Sequence, residues 1–122
     1  MKTLTKSIED YIETIYMIKK ENIKVRSIDI ATKLGVSKPA VNNAMKELCN
    51  LGLINDFNYS DISLTKEGET VAKKIYSKHM LIYDFLIKIG VSSKTAEIDC
   101  CKMEHNVSDE TIKCIKKLLK DK

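Results

Sequence analysis

The chain has no tryptophan, only two phenylalanines, four glycines and a single proline among its 122 residues. So few turn-forming residues argue against a fold of many short strands and favour long helices with short connections. No apolar run approaches the roughly 18 residues of a membrane span, and the N-terminus lacks the apolar segment of a signal peptide. We therefore expect a cytoplasmic protein that does not bind membranes.

The four cysteines show none of the paired C-x₂-C spacings of a structural zinc site. In the cytoplasm they should be reduced thiols and not disulfides. A hydrophobic content of 43% is enough for a core, and 122 residues fit one compact domain or two small subdomains. The net charge of +4 permits nucleic-acid binding without requiring it.

An apolar stripe at helical spacing predicts a first helix over residues 5–20. Its members are Ile8, Tyr11, Ile12, Ile15 and Ile18. Asp10 and Glu13 lie on the other side of this helix, about 60° from each other. We expect these two acids to face solvent or another part of the chain, and not the local core.

A short helix, a glycine-containing turn and a longer helix follow along the chain. Ser27 is placed to cap the short helix, which runs over residues 28–34, and Gly35 turns the chain. Ser37 is placed to cap the longer helix, which should run to about Leu51. This order is typical of a helix-turn-helix.

Two short strands over residues 53–54 and 61–64 should form a small hairpin, or wing, after the helix-turn-helix. The connection over residues 55–60 contains Asp56 and no lysine or arginine. Negative charge near phosphates is repulsive, so we expect the wing to add little affinity for nucleic acid.

The second helix of a helix-turn-helix enters the major groove with its N-terminal part. Asparagine can pair bidentately with adenine, and lysine can reach guanine acceptors. The core face of this helix should carry Val41, Met45 and Leu48. An ordinary solvated helix face has the same residue types, and it is the order of elements that favours DNA binding. The candidate DNA-binding residues are Ser37, Lys38, Pro39, Ala40, Asn42, Asn43 and Lys46.

The rest of the chain reads as three helices. Thr65 is placed to cap a long helix that ends at about residue 88, where Gly90 breaks it. Two further helices are predicted over residues 93–104 and 108–120, and Ser108 is placed to cap the last. We expect the dimer surface on these last helices, with Ile112, Cys114, Ile115, Leu118 and Leu119.

Cys101, Glu104 and His105 form the most informative motif, since on a helix they fall within an arc of about 100°. Thiolate, carboxylate and imidazole are all ligands of transition-metal ions. Cys100 points about 100° away from this face, so we assign it to packing or to no role. His79, alone on the long helix, fits an ordinary surface or hydrogen-bonded histidine as well as a ligand.

The chain resembles, from about residue 8 to residue 119, the diphtheria toxin repressor and manganese transport regulator family of metal-dependent transcriptional repressors. The resemblance is strongest in the motif at residues 101–105 and its distance from His79. The segments that carry it are Glu9-Asp10-Tyr11-Ile12-Glu13-Thr14-Ile15-Tyr16, Val36-Ser37-Lys38-Pro39-Ala40-Val41, Leu64-Thr65-Lys66-Glu67-Gly68, His79-Met80-Leu81 and Cys101-Lys102-Met103-Glu104-His105.

The resemblance implies a homodimeric repressor that binds double-stranded operator DNA, responds to Mn²⁺ or Fe²⁺ and controls metal homeostasis. It implies a mainly α fold with two domains. Residues 1–74 would form a winged helix-turn-helix with a two-stranded wing, and residues 75–122 a helical metal-binding and dimerisation domain. The protein would not be an enzyme.

The resemblance also implies the ligands. The primary metal site matches Asp10, Cys101, Glu104 and His105, and a second site matches Glu13 and His79. The manganese branch of the family has a carboxylate in place of Cys101, and the iron branch has a methionine in place of Asp10. The chain therefore combines a hard ligand that suits Mn²⁺ with a thiolate that favours Fe²⁺ or softer ions.

A metal that joins Asp10 to the ligands near residue 105 would fix the DNA-binding domain relative to the dimerisation domain, and so act as an allosteric corepressor. Three alternatives stay open at this point. The chain could be a winged-helix regulator with a degenerate or structural metal site, or a metal-buffering or protein-interaction module. A small metalloenzyme would use Glu104 as general base, but no second histidine shares its helical face.

Overall fold

The computed structural model describes residues 4–21, 24–55, 58 and 60–121. Within these residues the chain forms six helices. They are α1 (Lys6–Glu21), α2 (Ser27–Leu34), α3 (Lys38–Asn50), α4 (Lys66–Lys88), α5 (Ser93–Met103) and α6 (Asp109–Asp121). None of these helices combines the length and the apolar composition that a membrane span requires. The chain divides into two compact units, an N-terminal unit that ends at Lys73 and a C-terminal unit that begins at Lys74.

The core of the N-terminal unit is formed by α1, α2 and α3, which all pack against one another. The predicted stripe of α1 is buried, and so is the predicted core face of α3. Both predictions are confirmed because helical periodicity alone decides which side chains face a common core. The largest fully buried side chains of this unit are Ile12, Ile15, Ile30, Val41, Met45 and Leu48.

The start of α3 follows the prediction. Ser37 is its N-cap and accepts a hydrogen bond from the backbone N–H of Ala40 at 3.2 Å. The start of α2 differs from the prediction, because Ser27 lies inside the helix and the N-cap is Arg26. Arginine has no acceptor with which to cap a helix. Its guanidinium instead donates to both carboxylate oxygens of Asp29, at 3.0 and 3.1 Å.

The predicted two-stranded wing is wrong for the part of the chain that the structure describes. Two isolated antiparallel bridges, Ile54 with Leu64 and Asn58 with Asp61, stand in its place. A backbone hydrogen bond joins Ile62 N–H to the carbonyl of Val25 at 2.9 Å, outside the hairpin. The N–H of Ile62 is therefore not available for a hydrogen bond that would extend the two-stranded hairpin. Asp56, on which the expectation of weak phosphate binding rested, lies outside the described residues.

The C-terminal unit contains the end of α4 together with α5 and α6. Gly90 adopts a positive φ of 104° and turns the chain after α4. Ser92 and Ser108 accept hydrogen bonds from the backbone N–H groups of Thr95 and Thr111, at 3.3 and 3.2 Å, and so cap α5 and α6. The buried core cluster of this unit consists of Ile82, Leu86, Ala96 and Cys100.

Candidate metal centre and nucleic-acid interface

A buried histidine of α4 lies against the donor side chains of α5. His79 is 4% exposed. Its Nε2 atom is 3.5 Å from Glu97 Oε1 and 3.5 Å from Cys100 Sγ. Its Nδ1 atom is 3.9 Å from Cys101 Sγ. His79 is therefore not a surface histidine, although its position in the sequence was compatible with one. Thiol and carboxylate groups lie around it in one cluster.

The shortest polar contact of this cluster joins His79 Nδ1 to Glu104 Oε1 at 2.6 Å. Both side chains are almost completely buried, at 5% and 1% exposure. A carboxylate oxygen only accepts, so the hydrogen of this contact belongs to Nδ1. This bond fixes the orientation of the ring and leaves Nε2 beside Glu97, while Cys100 Sγ lies 3.5 Å from Nε2 and 3.6 Å from Nδ1. A carboxylate that holds a histidine in this way is typical of metal-binding histidines.

The predicted helical face at residues 101–105 is only partly realised. α5 ends at Met103, and Glu104 is its C-cap with helical φ and ψ of −59° and −25°. Glu104 therefore keeps its place on the face of Cys101, while His105 lies in the turn that follows. Helical spacing alone therefore does not place His105 on this face. Its Nε2 atom nevertheless lies 3.6 Å from Glu104 Oε2, and its side chain is 3% exposed.

Asp10 and Glu13 lie one turn apart on α1, in the N-terminal unit. Glu13 is 6% exposed, and Asp10 is half-buried. This burial excludes a solvent-facing position for Glu13. The other expected position, against another part of the chain, stays a prediction. The predicted ligands divide into two groups: these two acids on α1, and His79, Cys101, Glu104 and His105 in the C-terminal unit.

Glu97 and Cys100 are cluster members that the sequence interpretation did not propose as ligands. Cys100 does pack in the apolar core, as expected, but its sulfur also contacts His79. The assignment to packing alone is therefore incomplete. The signal was present in the spacing, because residues 97, 100, 101 and 104 fall within an arc of about 100° on a helix.

The cluster fits a divalent transition-metal ion. It offers imidazole, carboxylate and thiol donors within reach of one another, and these are the ligand types that such ions prefer. Glu104 Oε2 is buried and makes no hydrogen bond among the described residues. A buried carboxylate oxygen without a hydrogen bond is costly, and a bound cation would offset that cost. A bound cation would therefore account for these buried polar groups, which packing alone does not.

We expect the two adjacent cysteines to differ in reactivity. Burial, followed by the nearby Cys101, Glu97 and Glu104, raises the pKa of the Cys100 thiol to about 12. We expect iodoacetamide at pH 8 to modify exposed Cys101 and Cys114 well before Cys100, because the thiolate is the reactive form. Peptide mass spectrometry of the metal-free chain would measure this order. Equal labelling of Cys100 and Cys101 would contradict the buried position of Cys100.

The exposed face of α3 carries the predicted DNA-binding residues. Ser37, Lys38, Pro39, Asn43 and Lys46 are exposed, and Ala40 and Asn42 are half-buried. An open groove of about 690 Å³ runs beside this face. Its lining adds residues that precede or begin α2, and residues near the isolated bridge of Asn58 with Asp61. The lining consists of Arg26, Ser27, Ile28, Lys38, Asn42, Asn58 and Ser60.

Two family descriptions match the chain and together cover nearly all of it. Residues 3–61 match the N-terminal DNA binding domain of the iron dependent repressors, and residues 65–121 match their metal binding and dimerisation domain. The chain belongs to the iron-dependent repressor family. It is a metal-dependent transcriptional repressor and not an enzyme. The resemblance to the diphtheria toxin repressor and to MntR is thereby confirmed.

Two transcriptional regulators of other organisms are similar to the chain over most of its length. The uncharacterized HTH-type transcriptional regulator MJ0568 of Methanocaldococcus jannaschii is 41% identical over 115 residues, which are 93% of this chain and 92% of that protein. The transcriptional regulator MntR of Escherichia coli O157:H7 is 39% identical over 105 residues, 86% of this chain and 68% of that protein.

Among solved structures, that of the manganese regulator SloR matches with a TM-score of 0.80 at 32% sequence identity. The match covers 98% of this repressor but 55% of the SloR chain. This repressor therefore spans about half the length of that structure. The likeness extends over both of its units.

Proposed function

We propose that this repressor is a cytoplasmic homodimer that binds double-stranded operator DNA when Mn²⁺ or Fe²⁺ is bound, and that it thereby controls the supply of that metal. Residues 1–74 would bind the DNA, and residues 75–122 would hold the metal and the dimer partner. The metal-dependent regulators to which the chain is similar support this reading.

The buried contact between His79 and Glu104 is the observation that carries the metal-dependent part of this proposal. Two groups that both prefer water lie at 5% and 1% exposure, with His105 and Cys101 beside them. Burial of polar groups on this scale is unfavourable unless their bonding is completed. A divalent cation would complete their bonding, so metal binding would also stabilise the folded chain.

The proposed ligands follow the motif of the family. We assign Asp10, Cys101, Glu104 and His105 to a primary site, and Glu13 and His79 to a second. The carboxylate of Asp10 favours Mn²⁺, and the thiolate of Cys101 favours Fe²⁺. The two ions are therefore both candidates, and their relative effect on DNA binding distinguishes them.

The DNA-binding part rests on the exposed polar face of α3 and the groove beside it. Lys38 and Asn42 belong to both the predicted recognition surface and the groove lining. Arg26, held in place by Asp29, brings a guanidinium to the same groove. Cations at such positions neutralise phosphates, while asparagine and lysine reach base edges.

The proposed homodimer is supported by exposed apolar side chains of the C-terminal unit. Leu118 and Ile98 are 49% and 50% exposed. Of the residues expected at the dimer surface, Leu118 and Cys114 are exposed, while Ile115 is buried within its own chain. A half-exposed leucine on α6 suits a partner surface, since large apolar groups favour contacts that remove them from water.

An anaerobic titration of operator binding tests the proposal. The full chain is first treated with a chelator, and Mn²⁺ or Fe²⁺ is then added while binding to promoter fragments is followed by fluorescence anisotropy. We expect affinity to rise at least about tenfold with metal, the ratio that corresponds to a coupling free energy of about 1.4 kcal/mol. Equal affinity in chelator and in metal would contradict metal-dependent repression.

A further inference from the structure

The N-terminal unit leaves one large apolar side chain in solvent. Among the residues that the structure describes, Ile28 is the only large hydrophobic residue of this unit that is exposed, at 49%. It lies in the first turn of α2 and lines the groove beside the candidate recognition residues of α3. We propose that Ile28 contacts the 5-methyl group of a thymine in the major groove of operator DNA and thereby selects an A·T pair. This inference rests on the proposed binding of operator DNA.

Neither the core nor the helix itself explains an isoleucine at this position. Successive residues of a helix are about 100° apart, so Ile28 lies about 200° from Ile30, which is completely buried in the core. Isoleucine is also a weaker helix former than alanine, lysine or glutamate, because its branched side chain loses rotamer freedom. A single exposed isoleucine elsewhere on the surface would need no explanation. Its place in the groove is what makes Ile28 informative.

The groove around this side chain is otherwise polar and cationic. Lys38 and Arg26 bring two positive charges to it, and Asp29 holds the Arg26 guanidinium through hydrogen bonds of 3.0 and 3.1 Å. Ser60 donates its backbone N–H and its hydroxyl to Oδ1 of Asn58, at 3.0 and 2.8 Å. The oxygen of Asn58 is thereby used as an acceptor, and its amide nitrogen is the group that can donate. Phosphates accept hydrogen bonds and are negatively charged, so this lining suits a DNA strand.

The thymine methyl is the apolar group that DNA presents at such a place. It projects into the major groove, and no other base of DNA carries it. It lies at the side of the groove next to its own strand, which is where the first helix of a helix-turn-helix crosses the backbone. Asn42 lines the same groove, and an asparagine can pair with adenine. Ile28 and Asn42 therefore supply the contacts that suit the two bases of A·T pairs.

Replacement of thymine by deoxyuridine tests the contact, because deoxyuridine lacks only the 5-methyl group. The metal-loaded full chain is first used to enrich duplexes from a random-sequence library. Each thymine of the enriched duplex is then replaced in turn, and fluorescence anisotropy at fixed metal and salt concentrations measures the affinity. We expect one thymine in each half-site whose replacement weakens binding about fourfold, the ratio that corresponds to loss of one buried methyl group.

The variant Ile28→Ala identifies the protein side of the contact. It should bind the unmodified enriched duplex about fourfold or more weakly, since the methyl group then has no apolar partner. The deoxyuridine that weakens wild-type binding should have no further effect on the variant, because the two changes remove the same contact. Ile28 is exposed, so the substitution should leave the fold intact, which circular dichroism would check.

Thr32→Ala is the matched control. Thr32 is also a branched residue exposed on α2, and it is not part of the groove lining. This variant should keep the wild-type affinity and the wild-type response to every deoxyuridine.

The outcomes separate this inference from the proposed function. An enriched duplex in which no deoxyuridine effect depends on Ile28 would overturn the thymine contact and leave operator binding intact. Equal weakening of enriched and random duplexes by Ile28→Ala would show a contact with the deoxyribose backbone, and would also overturn the thymine contact alone. A library from which no duplex is enriched would overturn both proposals.

Discussion

Replacement of Gly68 by alanine is expected to destabilise the N-terminal unit by about 3 kcal/mol or more, the upper range for overpacking of a fixed core. Gly68 is buried in the first turn of α4. A methyl group at this position would overlap the backbone carbonyl oxygen of Leu53 and lie 2.8 Å from its carbonyl carbon. A backbone carbonyl cannot move aside as a flexible side chain can, so either the turn or the start of α4 must shift.

Urea unfolding followed by circular dichroism would measure this effect. Glu67→Ala is the matched control, because it lies on the same turn of α4 and is exposed. Surface substitutions of this kind usually change stability by less than about 0.5 kcal/mol. Coincident unfolding curves for Gly68→Ala and Glu67→Ala would show that α4 does not approach Leu53 as closely as the structure has it.

Replacement of His105 by alanine is expected to remove the metal dependence of operator binding. The imidazole is almost completely buried beside Glu104, and in our proposal it binds the primary metal ion. Loss of groups that only support a ligand already lowers metal affinity by about 10- to 100-fold, so loss of a ligand should lower it by at least about 100-fold. Asp10→Ala should act in the same direction.

Anisotropy titrations with Mn²⁺ and Fe²⁺ at fixed operator concentration would measure the shift in metal affinity. Lys102→Ala is the control, since Lys102 is exposed on α5 and holds no place in the proposed site. The same metal response in His105→Ala, Asp10→Ala and Lys102→Ala would favour a regulator whose site has decayed or serves only structure. A loss confined to the two ligand variants supports the sensor.

Most of the helical framework could be predicted from the sequence, because its signals are local. The N-cap roles of Ser37, Thr65 and Ser108 all correspond to hydrogen bonds in the structure, at 3.2, 3.0 and 3.2 Å. The bonding capacity of a side chain and its distance from a helix start decide such caps. The one cap that failed, Ser27, lies where Arg26 and Asp29 form an ion pair that the cap rules do not include.

The wing could not be predicted correctly because strand pairing depends on distant partners. The apolar residues on either side of residues 55–60 suggested a regular hairpin. The N–H of Ile62 bonds to Val25, 37 positions earlier in the chain, instead of extending a ladder. A pattern of alternating residues contains no information about such a competing acceptor.

The sequence by itself determined the family, the order of the helices, the core faces of α1 and α3 and the motif at residues 101–105, since these follow from residue types at fixed local spacing. Tertiary structure decided which of the chemically active residues meet. The 2.6 Å contact of His79 with Glu104 spans 25 positions, and Cys100 and Glu97 join it only because α5 packs against α4. Helical spacing fixes the face on which a side chain lies, but packing fixes which other face it contacts.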